Sequence, residues 1–297
     1  MMSERTSKPS VAILGLGIMG AGMAGRLLSA GFPLALYNRN REKCLPFAAD
    51  GAFVASAPRE AASRADVVIS MVADDPASRN VWLGQSGALA GATPKSILIE
   101  SSTLSIAWIQ ELATKAAECD CRFLDAPVTG TKPHAASGEL LFLVGGCEET
   151  LDAARPVLAV LGRETVHLGP TGSGALMKLI NNFLCSVQAA SFAEAISLIK
   201  AGGLDREKAI SILNGGAPGS GITKRVADRL AGNDFSPNFA LRWMAKDVMY
   251  AIDASLSKGV SLQTAAAALS ILQQSIAQGY GYEDFSAVAK LSQHRSG

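Results

Sequence analysis

Lys178 is the first residue whose type and setting suggest chemistry. Between Ser173 and Lys200 the only charged residues are Lys178, Glu194 and Lys200, so an ammonium group sits in an otherwise apolar, helix-like stretch. Such a lysine either snorkels to water from a partly buried helix or serves as an acid and base. Apolar surroundings weaken its hold on the proton, which suits proton transfer. Asn182 lies four residues on, hence on the same helical face, where an amide can orient what the lysine protonates. Earlier in the chain, Thr129-Gly130-Thr131 offers two hydroxyls and a run of backbone amides after the strand-like RFLDAP. That combination suits a carboxylate anion, although any strand-to-loop connection can look like it.

A third group of residues suits a dinucleotide. Gly15-Leu16-Gly17-Ile18-Met19-Gly20 follows a strand-like run directly and opens a helical one. There the glycines permit a tight turn and close approach of a pyrophosphate, and the helix N-terminus supplies amide donors. The next strand-like run ends Tyr37-Asn38-Arg39-Asn40-Arg41. An NAD site usually carries Asp or Glu there for the ribose 2′-hydroxyl. Here a cation follows Asn38 directly, and a charge-assisted hydrogen bond contributes roughly 1.5–3 kcal/mol. The pattern favours NADP(H), with Asn38, Arg39 and Asn40 beside the 2′-phosphate. The competing reading makes Arg39 and Arg41 ordinary solvated charges.

Positioning these groups requires a scaffold, and the hydrophobic pattern supplies one. SVAIL (10–14), PLALYN (33–38), ADVVISMV (65–72), KSILIES (95–101), RFLDAP (122–127), LLFLVGG (140–146) and TVHLG (165–169) read as strands. Amphipathic helical segments alternate with them, which predicts a mostly parallel, doubly wound α/β Rossmann sheet. After Gly169 the pattern is helical throughout, punctuated at AGG (201–203), GGAPGSG (215–221) and AGNDFSP (231–237). The expected organisation is a loose tail over 1–9, a Rossmann domain over 10–169 and an all-α domain over 170–297. A long helix from about 173 to 200 joins the two, roughly 42 Å at 1.5 Å per residue.

Composition narrows the function classes. A chain of 297 residues suits two domains, and a net charge of +1 leaves no electrostatic footprint for nucleic acid. Five cysteines (44, 119, 121, 147, 185) and three scattered histidines (134, 167, 294) offer no metal-binding spacing. They read instead as thiols of a reducing compartment. The N-terminal MMSERTSKPS followed by an apolar run imitates a leader, but cleavage there would remove the glycine turn. No uninterrupted charge-free run reaches the length of a membrane span, and a cytoplasmic location is expected. Hydrolase strings such as G-x-S-x-G and H-E-x-x-H are absent. Trp82, Trp108 and Trp243 read as packing residues, Cys185 as a core thiol and Gly215–Gly221 as an inter-helix turn.

Taken together, GLGIMGAGMAGRL with its Asn-Arg, DAPVTG, GSGALMKLINN and KDV (246–248) resemble the β-hydroxyacid dehydrogenase family, relatives of 3-hydroxyisobutyrate dehydrogenase. TGTKPHAASGEL, NFALRWMAKD and GYEDFSAVAKL look most like its glyoxylate/succinic semialdehyde reductases, which use NADPH. The resemblance implies a catalytic acid/base at Lys178 with Asn182 beside it. It also implies a substrate carboxylate on Thr129, Gly130 and Thr131, with Phe239 closing the site. Val72, Ala73, Asp74, Thr103, Lys246 and Asp247 would join the glycine turn in holding NADP. A homodimer or homotetramer acting on a small carboxylated aldehyde or hydroxy acid is implied as well. Thr129 stands where the family usually has serine, and Thr131 replaces a glycine; both bear on substrate choice. The alternatives are oxidation of 3-hydroxyisobutyrate or another β-hydroxy acid, imine reduction, and a silent NADP-binding scaffold. Imine reductases typically lack the lysine, and a scaffold should have lost the lysine or the carboxylate loop.

Overall fold

The computed structural model describes residues 8–291. Residues 1–7 of the expected tail, and His294, lie outside the described residues. Lys8 is tethered: its ammonium bonds the Ala30 carbonyl and lies over the Phe32 ring. The chain forms two compact units that divide between Lys178 and Leu179.

The first unit is built on a nine-stranded sheet. Its strands are β1 (Val11–Leu14), β2 (Leu34–Tyr37), β3 (Phe53–Val54), β4 (Val67–Ser70), β5 (Ile97–Glu100), β6 (Arg122–Asp125), β7 (Val128–Thr129), β8 (Leu140–Gly146) and β9 (Gly162–His167). The spatial order is β3-β2-β1-β4-β5-β6-β8-β7, with β9 also pairing β8. From β3 to β6 every pairing is parallel, and β8 runs antiparallel to β6 and β7. The central strands VAIL, VVIS and ILIE are buried throughout. Strands covered on both faces read as continuous apolar runs rather than alternating ones.

Helices α1 (Ile18–Ser29), α2 (Leu45–Ala49), α3 (Pro58–Ala62), α4 (Asp75–Trp82), α5 (Ile106–Glu118), α6 (Lys132–Ser137) and α7 (Glu148–Leu161) complete this unit, before α8 (Ser173–Ala201) begins. One sheet face packs Ile13, Ile69 and Ile99 against Met23 and Leu27 of α1 and Leu158 of α7. The opposite face packs Leu14, Val68 and Leu98 against Trp82, Trp108 and Leu112. Adjacent residues of one strand serve opposite faces, as the pleat demands.

The second unit contains the rest of α8, then α9 (Arg206–Gly215), α10 (Gly221–Ala231), α11 (Leu241–Leu256) and α12 (Gln263–Ala277). The three glycine-rich stretches fall at the ends of these helices. Its core joins Phe192 and Ile196 of α8 with Val226, Leu241, Val248, Leu272 and Phe285. By length and composition alone α8 would suffice to cross a membrane, even with Lys178, Glu194 and Lys200 in it. The division between the compact units falls within α8. The first turn of α8 belongs to the sheet unit, where Ala175 is part of the core.

Candidate active site

Parallel strands deliver their loops to one sheet edge, and in open α/β sheets ligands bind outside the carboxyl ends of the strands. The order β2-β1-β4-β5 places Asn38, the glycine turn, Val72 and Thr103 side by side on that edge. Gly15 has φ +105, and a Cβ there would lie 2.4 Å from the Met71 carbonyl oxygen. At Gly20 a Cβ would meet the Gly15 carbonyl at 2.0 Å, so only glycine lets α1 start this close to the turn. Gly17, the residue preceding α1, has nothing within 4 Å of its Cβ position, and the first turn of α1 carries no acidic residue. The N-terminus of α1 therefore borders open space at Gly17 with no acidic residue against its dipole, which fits a pyrophosphate.

Asn38 has a role that its residue type did not disclose. Its side-chain oxygen accepts from the Leu16 amide at 2.8 Å, and its Nδ2 donates to the Asn40 carbonyl at 2.8 Å. Asn38 thus braces the glycine turn from the tip of β2. Arg39 and Asn40 are exposed, and Asn40 caps the short helical turn that follows, accepting from the Glu42 amide at 3.1 Å. Of these residues, Arg39 is the exposed cation directly past the β2 end.

Beyond β4, the Val72 amide donates to Ser102 Oγ at 2.8 Å, Ala73 is exposed, and Asp74 caps α4 by accepting from the Ala77 amide at 2.9 Å. Thr103 is half-buried in the loop after β5. Beneath these loops lies Glu100, a fully buried carboxylate that sequence reading missed. It accepts from Ser78 Oγ at 2.6 Å, Trp82 Nε1 at 2.8 Å and the Ser102 amide at 2.9 Å. Trp108 Nε1 in turn donates to Ser78 Oγ at 2.8 Å. Burial raises the Glu100 carboxyl pKa, and the Ser102, Ser78 and Trp82 bonds oppose that rise in part. Trp82 and Trp108 are packing residues, as expected, and each also spends its indole N–H on this network. A lone Glu ending an Ile-Leu-Ile strand was the available signal.

Thr129 ends β7 and Gly130 turns with φ +139. The region expected to be loop contains a helix: Thr131 precedes α6, and its amide and hydroxyl lie 3.1 and 2.7 Å from His134 Nδ1. A short helix with Pro133 inside and Gly138 at its end has too few residues to show a helical period.

Lys178 stands in the second turn of α8, half-buried, with its neighbour Met177 exposed. The start of that helix is fixed by Asp125, the acidic residue of DAPVTG. Asp125 is completely buried, and its two oxygens accept from the amides of Gly172 at 2.7 Å and Ala175 at 2.8 Å. Burial pushes its carboxyl pKa from 3.8 up to about 6, against the lowering effect of those amides.

Asn182, Phe239, Lys246 and Asp247 belong to the second unit. Asn182 Nδ2 donates to Asp247 at 2.6 Å, and Asn182 Oδ1 accepts from Asn181 at 2.9 Å. The other Asp247 oxygen pairs with the Lys246 ammonium at 2.9 Å. Asp247 is 1% exposed, and its side chain is engaged by Asn182 and Lys246. Phe239 lies apart from this trio in its bonding: its ring meets Phe285 edge-on at 6.5 Å, and its amide donates to buried Asp284 at 3.2 Å. The GGAPGSG stretch is the connection between α9 and α10. Among the described residues no cluster of metal-ligating side chains occurs.

A dinucleotide-binding sheet followed by a helical unit that begins on a lysine-bearing helix defines a class of dehydrogenases, and the comparisons identify which. Residues 10–169 match the NAD-binding domain of 6-phosphogluconate dehydrogenase, and residues 172–292 match the NAD-binding domain of NADP-dependent 3-hydroxyisobutyrate dehydrogenase. An NAD-dependent L-serine dehydrogenase of Pseudomonas aeruginosa is 36% identical over 95% of this chain and 97% of its own. A chloroplastic glyoxylate/succinic semialdehyde reductase of Arabidopsis thaliana is 32% identical over 94% of this chain and 78% of its own. A Mycobacterium tuberculosis 3-hydroxyisobutyrate dehydrogenase, solved with L-serine, superposes with a TM-score of 0.87 at 32% identity, covering 96% of this chain and 99% of that one. The chain belongs to the β-hydroxyacid dehydrogenase family, whose members are dehydrogenases acting on CH–OH groups.

Proposed function

We propose that this protein is an NADPH-dependent reductase of short carboxylated aldehydes, glyoxylate and succinic semialdehyde among them, producing hydroxy acids. The observation that carries the proposal is Lys178, set in an apolar helix one turn beyond a start fixed to the same sheet that bears the glycine turn. Bound NADPH supplies the hydride. Lys178 gives the proton to the nascent alkoxide, and proton transfer of this kind contributes about 10²–10⁴ in rate. Thr129, Gly130 and Thr131 hold the substrate carboxylate, and Asn182 orients the oxygen. Arg39, exposed beyond β2 with no carboxylate of residues 37–41 beside it, meets the 2′-phosphate. The glycine turn holds the pyrophosphate, and Val72, Ala73, Asp74, Thr103, Lys246 and Asp247 complete the cofactor's surroundings.

The likeness to the Pseudomonas L-serine dehydrogenase supports a second reading, oxidation of a β-hydroxy acid with Lys178 as base. The chain works as a homodimer or homotetramer: Leu198, Leu204, Ile212 and Leu256 are largely exposed, and α9 buries no residue of its own. Five free cysteines suit the reducing cytoplasm. An initial-rate panel tests the proposal: NADPH and NADH against glyoxylate, succinic semialdehyde, methylmalonate semialdehyde and a cyclic imine, with 3-hydroxyisobutyrate and L-serine in the oxidative direction. The acids turn over with NADPH. A clear NADH preference, or turnover of none of the aldehydes, refutes the proposal.

A further inference from the structure

We propose that Asp125 is a positioning residue for the reaction, fixing where Lys178 meets the substrate by clamping the first turn of α8 to the end of β6. This rests on the assignment of Lys178 above. Both carboxylate oxygens are spent on that turn, on the amides of Gly172 and Ala175. Lys178 follows Ala175 by three residues, about 4.5 Å along the helix axis. The seat has no slack. A Cβ on Gly174 would lie 2.2 Å from the Leu143 carbonyl oxygen, and one on Gly145 would lie 2.5 Å from Asp125 Oδ1. The helix start therefore rests directly on the backbones of β6 and β8.

The chemistry of the clamp bears on the lysine. A helix N-terminus is ordinarily capped by a neutral Ser, Thr or Asn, or by an exposed Asp. Here a fully buried carboxyl does the work, and among the described residues it forms no ion pair. Burying a charge without a cation is costly, so stability alone is a poor account of the choice. The positive end of a helix disfavours an ammonium in its early turns, and a carboxylate there opposes that effect. Asp125 thus sets both the place and the proton affinity of Lys178. Two other titratable groups border this corner. Glu100 is the register neighbour of Asp125 on β5, and His167 of β9 meets the Gly146 carbonyl at 2.8 Å through Nε2.

Two variants separate the clamp from the charge. Asp125→Asn keeps the shape, removes the charge and turns an NH2 toward one helix amide. Gly174→Ala wedges the turn away from Leu143 and leaves the carboxyl chemically intact. Both should lower kcat by about tenfold to a hundredfold, since small misplacements of a reacting group have effects of that size. NADPH affinity, read by fluorescence titration, should stay within about twofold. Competitive amine labelling of Lys178, read by mass spectrometry across pH, should shift to lower pH in Asp125→Asn, because the helix start has lost the carboxylate that offsets its dipole. Wild-type kcat in both variants, or an unshifted labelling profile in Asp125→Asn, overturns the proposal. Should Asp125→Asn fail to fold, the kcat of Gly174→Ala decides alone. A Lys178→Ala enzyme that still turns over refutes the catalytic assignment instead. An inactive Lys178→Ala beside a fully active Asp125→Asn refutes only the clamp.

Discussion

Asp125 and Asp247 both hold α8, one in each unit, and both are almost wholly buried. Asp125 grips main-chain amides at the helix start and forms no ion pair among the described residues. Asp247 grips a side chain, Asn182, and shares its charge with Lys246. The first arrangement depends on backbone geometry and on the glycines that let the chain approach; the second depends on three particular side chains. A backbone clamp gives precise placement, whereas the side-chain trio stands or falls with each member's chemistry.

The largest effect expected on this contrast comes from Lys178 itself. Lys178→Ala should lower kcat by about 10²–10⁴, with NADPH binding retained in a fluorescence titration. Retained turnover would break the link between the clamp and catalysis. Next, Asp247→Ala should destabilise the protein by about 3–5 kcal/mol, because it removes the buried carboxylate that binds both the mostly buried Lys246 ammonium and the Asn182 amide. Urea unfolding measures this, and a loss below about 1 kcal/mol would place the trio with exposed pairs instead. Arg39→Ala lies outside both clamps and should raise KM for NADPH about tenfold or more, leaving KM for NADH nearly unchanged.

The smallest effect expected is in the pH dependence of stability. With the Asp125 carboxyl raised from 3.8 to about 6, the folded protein retains a proton there that the unfolded chain has released. Stability contributed by this group is therefore fully present below 3.8 and is lost as pH rises to about 6. The raised pKa of Glu100 adds a slope of the same sign. The melting temperature of the wild type relative to Asp125→Asn should therefore fall as pH rises across this window.

The legibility of the site follows the same division. The glycine turn was readable because steric exclusion of a Cβ leaves a local signature, and the parallel strands because double burial leaves continuous apolar runs. Asp125 was visible only as part of a motif: its partners Gly172 and Ala175 are 47 and 50 residues away, and only the fold brings them together. Glu100 was hidden for the same reason, its indole partner Trp82 lying 18 residues back. β3 and β7 have two residues each, too few to show alternation. β9 starts at Gly162 rather than 165, since its exposed Arg163 and Glu164 look like loop. Asn182 and Asp247 were recognised by resemblance, but their bond spans 65 residues and no local pattern announces it.

The brace at Asn38 has a consequence for anyone wishing to re-engineer cofactor choice. An acidic residue at the tip of β2 is the obvious way to admit NADH and repel NADPH. At position 38, however, a carboxylate would forfeit the donor that reaches the Asn40 carbonyl and would put its charge on the turn that must accept a pyrophosphate. Redesign should therefore leave Asn38 alone and begin at Arg39, whose exposed side chain can be exchanged without loosening the loop that grips either nucleotide.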